Sequence, residues 1–223
     1  MKTRTKRQAA MIAAFVAYFA ALWYLWYTPV VYPLKIFVVL LHEVSHALAL
    51  WATGGEVASI TLNALQGGAT YGRGGIPLIT LSAGYLGSLG LGALLVMGAQ
   101  TRRVSQRVLL GVVGGLVLAL TLLFIRNGFG FGFGLLFGIG LVVAARQLPV
   151  AWSKWTLVVL GLTSVLYAIL DIKSDVLDRP ELRSDAAMLA ELTGVPTQLW
   201  GVLWIAAACV AAVALFRWTL RRA

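Results

Sequence analysis

The sequence predicts an all-α polytopic membrane protein with about seven transmembrane helices and a small Gly-rich β-hairpin after the second. Of its 223 residues, 60% are hydrophobic and 12% are charged, whereas a soluble domain is typically about 45–50% apolar. The mean hydropathy is +0.88. Apolar runs of about 20 residues, the length that crosses a bilayer as a helix, recur along the chain. An ordinary soluble domain is therefore excluded.

Seven apolar runs are long enough to be spans. The first combines a basic start with an apolar stretch, as a signal peptide does, but it ends in WYLWY, where a cleavage site would have small residues. We therefore expect a retained anchor. In the fifth run, the glycines of FGFGFG favour close packing inside a helix bundle. The predicted spans cover residues 9–27, 31–52, 76–98, 104–125, 128–145, 152–171 and 197–219.

Two segments between spans predict other structure. Residues 53–75 contain EVASITLN and GGATYG, where apolar and polar residues alternate around glycines, as in a short β-hairpin. Near the last span, Ser184 is a plausible N-cap and Gly194 a plausible C′ residue of a short interfacial helix, with Pro196 as a stop.

The formal charge of +10 indicates a lipid surface rather than nucleic acid. Basic residues lie at the ends of apolar runs, in MKTRTKR, TRRVSQR and FRWTLRR, where they meet lipid headgroups. No soluble basic face is available to hold a duplex. The basic residues are almost balanced between the two sides, and we expect the amino terminus inside. The only cysteine, Cys209, excludes an intrachain disulfide.

The second span contains LLHEVSHALAL, which holds both histidines of the chain. Helical residues four apart share a face, so the imidazoles of His42 and His46 can converge on one cation, and Glu43, about 100° around the helix, can reach a water bound there. Ionisable side chains inside a membrane cost several kcal/mol unless they are paired or functional. The motif therefore predicts a metal site.

A third ligand must come from elsewhere, because a catalytic zinc usually has three protein ligands and a water. The chain has no third histidine and Cys209 lacks polar neighbours, which favours a carboxylate. We prefer Asp171, because spans two and six run in the same direction and both motifs lie late in their spans. Asp175, one turn further on, is the alternative, either as a ligand or as a group that orients a histidine. Asp185 is a more distant possibility and is better explained as part of the interfacial helix cap.

Three motifs resemble the site-2 protease family of intramembrane zinc metalloproteases. HEVSH resembles its HExxH motif, SAGYLGS its AGP-type motif, and the LD at Leu170 and Asp171 its LDG motif. The resemblance covers roughly residues 31–175, and SDAAMLAELTG further on resembles a compact bacterial branch without a PDZ domain. The sequence departs from the family at Tyr85, Ser88 and Ile172, where proline, asparagine and glycine are usual.

The resemblance implies an intramembrane zinc metalloendopeptidase that hydrolyses peptide bonds of membrane-anchored protein substrates. One Zn²⁺ per chain would be held by His42, His46 and Asp171, with Asp175 as the alternative third ligand, and Glu43 would be the general base. The expected location is the bacterial inner membrane. We expect one integral membrane domain over 1–223, made of an anchor at 1–27, a catalytic core at 28–175, and the interfacial helix with the last span at 176–223.

The hairpin is a candidate substrate-binding element, and two other functions are alternatives to proteolysis. The hairpin would offer an edge to an extended substrate by strand addition. A metal-binding membrane transporter would use the same ligands, but acids and histidines would then be spread through several spans. A proteolytically inactive scaffold of the same fold would have no need of a base at Glu43.

Overall fold

The computed structural model describes residues 2–173, 176 and 183–222. Asp175, the alternative third ligand, lies outside these residues. The described chain forms helices and one two-stranded antiparallel sheet. The elements are α1 (Lys2–Tyr24), α2 (Tyr32–Ala52), β1 (Glu56–Leu62), β2 (Gly68–Arg73), α3 (Pro77–Ala99), α4 (Gln106–Phe124), α5 (Gly128–Gln147), α6 (Val150–Ile172), α7 (Asp185–Thr193) and α8 (Thr197–Arg222).

The helices confirm a polytopic membrane protein. Within the described residues, six helices, α2 to α6 and α8, are long and apolar enough to cross a bilayer. The helix of the first predicted span has a shorter apolar stretch, Gln8–Tyr24. It ends before Pro29 because the residue preceding a proline disfavours the helical conformation, and the chain turns before α2 begins.

A buried lysine fastens this turn to α2. Lys35 is 5% exposed, and its Nζ lies 4.2 Å from the ring centroid of Trp26 and 5.6 Å from that of Tyr27. A cation over an aromatic face is attracted by the ring quadrupole, and more strongly where water is excluded. The contact holds the aromatic residues of the turn against the start of α2.

Glycines bring the spans into close contact, as FGFGFG and its neighbours predict. A Cβ at Gly134 in α5 would overlap Thr121 of α4, and one at Gly138 would overlap Leu118. Between α3 and α6, a Cβ at Gly92 would lie 2.8 Å from the carbonyl oxygen of Gly161. Small residues allow this approach where lipid supplies no hydrophobic force between helices. The resulting bundle holds α3 between α2 and α6.

The hairpin predicted over 53–75 is present and runs back along α2. Its glycines permit the contact, because a Cβ at Gly72 would collide with Leu50 and one at Gly68 would lie 2.6 Å from Glu43 Oε1. At the turn, the Tyr32 hydroxyl donates to the carbonyl of Ala64 at 2.9 Å. The hairpin therefore lies beside the histidine motif.

The short helix α7 confirms the predicted caps. The Ser184 hydroxyl accepts a hydrogen bond from the Ala187 amide at 3.3 Å, and Gly194 has φ of +73°, a left-handed conformation that glycine adopts without strain. Ala186 and Leu189 are fully buried and belong to a cluster with Tyr85 of α3. This packing directs Asp185, the first residue of α7, toward α2.

Candidate metal centre

The two histidines of α2 point to the same place. The Nε2 atoms of His42 and His46 are 2.9 Å apart. The helix sets this arrangement, because residues four apart lie one above the other on a helix face. Other faces of α2 pack into the core through Ile36, Phe37 and Leu40, which are at most 1% exposed. The imidazoles are therefore presented by a rigid element.

Asp185 completes a triangle of donor atoms. Its Oδ2 lies 3.1 Å from Nε2 of His42 and 3.2 Å from Nε2 of His46. Ligands at zinc–ligand distances of about 2.0–2.1 Å in a tetrahedron are separated by about 3.3–3.4 Å. The three donor atoms lie within a few tenths of an ångström of that spacing, so the site fits zinc.

A hydrogen bond fixes the tautomer of His46. Its Nδ1 lies 2.7 Å from the carbonyl oxygen of Thr80 in α3. A carbonyl only accepts, so Nδ1 carries the proton and donates. In the neutral imidazole, Nε2 then presents its lone pair to the centre. Such a bond from the outer ring nitrogen is the usual way in which a metal-ligating histidine is oriented.

Asp185 contributes a negative charge. Burial alone would raise the pKa of its carboxyl group, but the hydrogen bonds to His42 and His46 outweigh burial and hold the pKa below its usual range. Asp185 is therefore a carboxylate, the form that binds a metal.

Residues of α3 shape the space around the donors. A Cβ at Gly84 would lie closer than 3.0 Å to Nε2 of both histidines, so glycine leaves room where the donors converge. Beside it, the ring of Tyr85 meets that of His42 edge-on, with centroids 4.7 Å apart and an interplanar angle of 83°. Ser88 donates to the carbonyl of Tyr85 at 3.0 Å and is 1% exposed, which is a packing role. Of these two departures from the AGP-type motif, Tyr85 lines the cavity and Ser88 is buried in the bundle.

Glu43 is held by the hairpin. It is 4% exposed, and the Thr70 hydroxyl of β2 lies 2.7 Å from its Oε2 and 2.9 Å from its backbone oxygen. Beside the other carboxylate oxygen, Oε1, Gly68 leaves no room for a side chain, since a Cβ there would lie 2.6 Å away. The carboxylate is therefore oriented from outside α2, and it lines the same cavity as both histidines.

A cavity of about 1130 Å³ opens onto these residues. It is lined by His42, Glu43 and His46, by β2, by Trp26 before α2, and by Asp171 at the end of α6. Ligand cavities are typically about 300–1000 Å³. The volume is enough for a stretch of extended peptide together with water.

The structure brings Asp185, rather than Asp171, to the two histidines. Asp171 lies in the cavity wall, but it is not in the described group whose ligand atoms lie within 4.8 Å of one another. The two spans were expected to bring Asp171 and the histidines to the same leaflet, and these residues do line one cavity. Sequence reasoning missed that α7 returns to the cavity. The signal was Asp185 itself, an acid directly after the capping residue Ser184.

The family model described as Peptidase M50B-like matches residues 15–215 of the chain. The matched range includes α2, the hairpin, α6 and α7. Neither a curated protein nor a solved structure gives a significant match. The family match confirms the predicted resemblance to the site-2 proteases.

Proposed function

We propose, from the premise that the chain belongs to the Peptidase M50B-like family, that it is an intramembrane zinc metalloendopeptidase. The observation that carries the proposal is the convergence of Asp185 from α7 with His42 and His46, which lie, together with Glu43, in a helix that is apolar and long enough to span a membrane. Its substrates would be membrane-anchored proteins, and its location the bacterial inner membrane.

One zinc ion per chain would be held by His42, His46 and Asp185. Two imidazoles and a carboxylate are a donor set that catalytic zinc commonly has, with the fourth position left for water. When bound, zinc lowers the pKa of its water to about 7 and polarises the carbonyl that is attacked. The spacing of 2.9–3.2 Å among the donor atoms supports this assignment.

Glu43 would move the proton. As general base it takes a proton from the attacking water and then delivers it to the leaving amine. Thr70 holds Oε2 by its hydroxyl, so the carboxylate keeps one orientation through both steps.

The hairpin would bind the substrate as an extended strand. Among the described residues β2 pairs with β1 alone, and it lines the cavity. Ile60 and Leu62 of β1 direct backbone groups away from β2, toward residues 126 and 127. Thr70 and Gly68 lie opposite Ile60 and Leu62 in the register. When two opposite residues of an antiparallel ladder do not bond to each other, their N–H and C=O groups point in opposite directions. The N–H and C=O groups of Thr70 and Gly68 therefore point toward the outer edge of β2. A substrate strand pairing there would lie about 4.8 Å from β2, beside the cavity that Glu43 also lines.

The test compares the wild type with Glu43→Gln, a variant of the same shape that cannot act as a base. Both are purified in detergent, bound zinc is measured, and cleavage of a model single-span substrate is followed. We expect one zinc per chain in both proteins and cleavage in the wild type only. Cleavage by Glu43→Gln would refute the role of that residue.

The same preparation separates the other two functions. A transporter would move zinc into liposomes in both proteins, without cleavage. An inactive scaffold would bind zinc but cleave in neither case. The intact Glu43, held in place by Thr70, favours the protease over both.

A further inference from the structure

The junction between α4 and α5 pairs with the outer edge of β1. Ile125 forms a parallel β-bridge with Ile60, and the amide of Arg126 donates to the carbonyl of Ile60 at 3.1 Å. The side chain of Asn127 then makes the two hydrogen bonds that the backbone of a neighbouring strand would make. Its Nδ2 donates to the carbonyl of Leu62 at 2.6 Å, and its Oδ1 accepts from the Leu62 amide at 3.1 Å.

The strand register connects this junction to the site. Ile60 lies opposite Thr70, and Leu62 lies opposite Gly68. Thr70 donates to the Glu43 carboxylate, and a Cβ at Gly68 would overlap that carboxylate. The two anchored residues of β1, Ile60 and Leu62, therefore lie directly opposite the two residues of β2 that border the Glu43 carboxylate.

The anchor is buried and leaves little freedom. Ile60, Leu62 and Ile125 are at most 1% exposed. A Cβ at Gly130 would lie 2.7 Å from Asn127 Oδ1 and 2.9 Å from a side-chain carbon of Ile125, so α5 closes over the amide group. When a buried backbone group loses its hydrogen bond, water cannot replace the lost partner, and the unpaired group destabilises the fold. Loss of the Asn127 side chain would therefore shift β1 rather than leave Leu62 unpaired.

We propose that Asn127 is a positioning residue that sets the orientation of Glu43 through the hairpin. The effect passes from the Asn127 amide to Leu62 and Ile60, across the sheet to Gly68 and Thr70, and from them to the carboxylate. The inference rests on the proposed function, because it assigns Asn127 an effect on turnover. The donor atoms of the metal centre belong to α2 and α7, so the same change leaves metal binding intact.

The kinetic experiment uses Asn127→Asp, which keeps the shape but loses the donor to Leu62, and Asn127→Ala. The matched control is Arg126→Gln, because the Arg126 side chain caps carbonyls of α4 while its backbone amide still reaches Ile60. We expect kcat to fall at least about tenfold in both Asn127 variants, with KM and bound zinc within about twofold of wild type. Arg126→Gln should stay within about twofold in kcat. A loss of kcat that follows loss of zinc, or an unchanged kcat, would overturn the inference.

A second measurement needs no activity. In a Cys209→Ser background, Glu43→Cys and Thr70→Cys are introduced together, and the rate of disulfide formation reports how closely β2 is held to α2. Adding Asn127→Ala should slow cross-linking at least about fivefold, and adding Arg126→Gln should not. An unchanged rate refutes the inference. If the wild type binds zinc but cleaves nothing, the proposed function fails, and the cross-linking result still decides whether Asn127 positions the hairpin.

Discussion

Replacing Asp185 tests the metal centre most directly. Its Oδ2 is the one carboxylate oxygen within 3.2 Å of both imidazole nitrogens among the described residues. Complete zinc sites contribute about 10–16 kcal/mol with four ligands, or about 2.5–4 kcal/mol per ligand. Since about 1.4 kcal/mol is a factor of ten, Asp185→Ala should weaken zinc binding by about 10²–10³-fold. Asp171→Ala, in the cavity wall, should change it by about tenfold or less.

The assay is competition for zinc with a chromophoric chelator, using detergent-purified protein. Ser184→Ala is the matched control, because it removes the α7 cap at a cost of about 1 kcal/mol while the carboxylate of Asp185 remains. If Ser184→Ala loses zinc as completely as Asp185→Ala, the effect belongs to the helix and not to the ligand. Strong loss in Asp171→Ala with little change in Asp185→Ala would refute the assignment and restore Asp171 as third ligand.

Three further predictions address the walls of the site and its edge. Gly84→Ala should abolish zinc binding, because the added methyl group would occupy the space between the histidines. Gly90→Ala is the control on the same helix, where nothing lies within 4 Å of the added Cβ, and it should bind zinc normally. Equal loss of zinc in both variants would contradict this prediction. Thr70→Val should lower kcat about 10–100-fold, since a hydrogen bond to a charged group contributes about 1.5–3 kcal/mol. Thr70→Ser keeps the hydroxyl and should retain most of the wild-type kcat. A normal kcat in Thr70→Val would rule out the orienting role. Substrates N-methylated at alternate backbone amides should lose cleavage in one register and keep it in the other, because a strand pairs through every second residue; indifference to register would exclude strand addition at β2.

Local sequence signals predicted the elements of the site well. HEVSH in an apolar run places two histidines on one helix face, and Ser184 and Gly194 mark the ends of α7 because caps depend on neighbouring residues only. The hairpin followed from alternation around glycines. These features need no knowledge of how distant parts of the chain meet.

The third donor and the hairpin anchor depended on distant contacts. Asp171 lies at the end of α6 and Asp185 begins α7, and the packing of α7 against α3 and α8 brings Asp185 to the histidines. The pairing of Asn127 with Leu62 joins residues 65 apart, and no pattern within either segment indicates it. Such contacts follow from packing of the whole bundle, which periodicity does not encode.

The separation of the donors along the chain gives the centre a mechanical consequence. His42 and Asp185 are 143 residues apart in sequence, so a bound ion would act as a cross-link that closes a very long loop. As with a disulfide, the entropy removed from the unfolded chain grows with loop length. A metal at this centre would thus tie α7, a short helix capped by one serine hydroxyl, to a central span. Chelation should make the chain around residues 183–196 the first point of proteolytic attack, while the spans from α2 to α6 stay resistant.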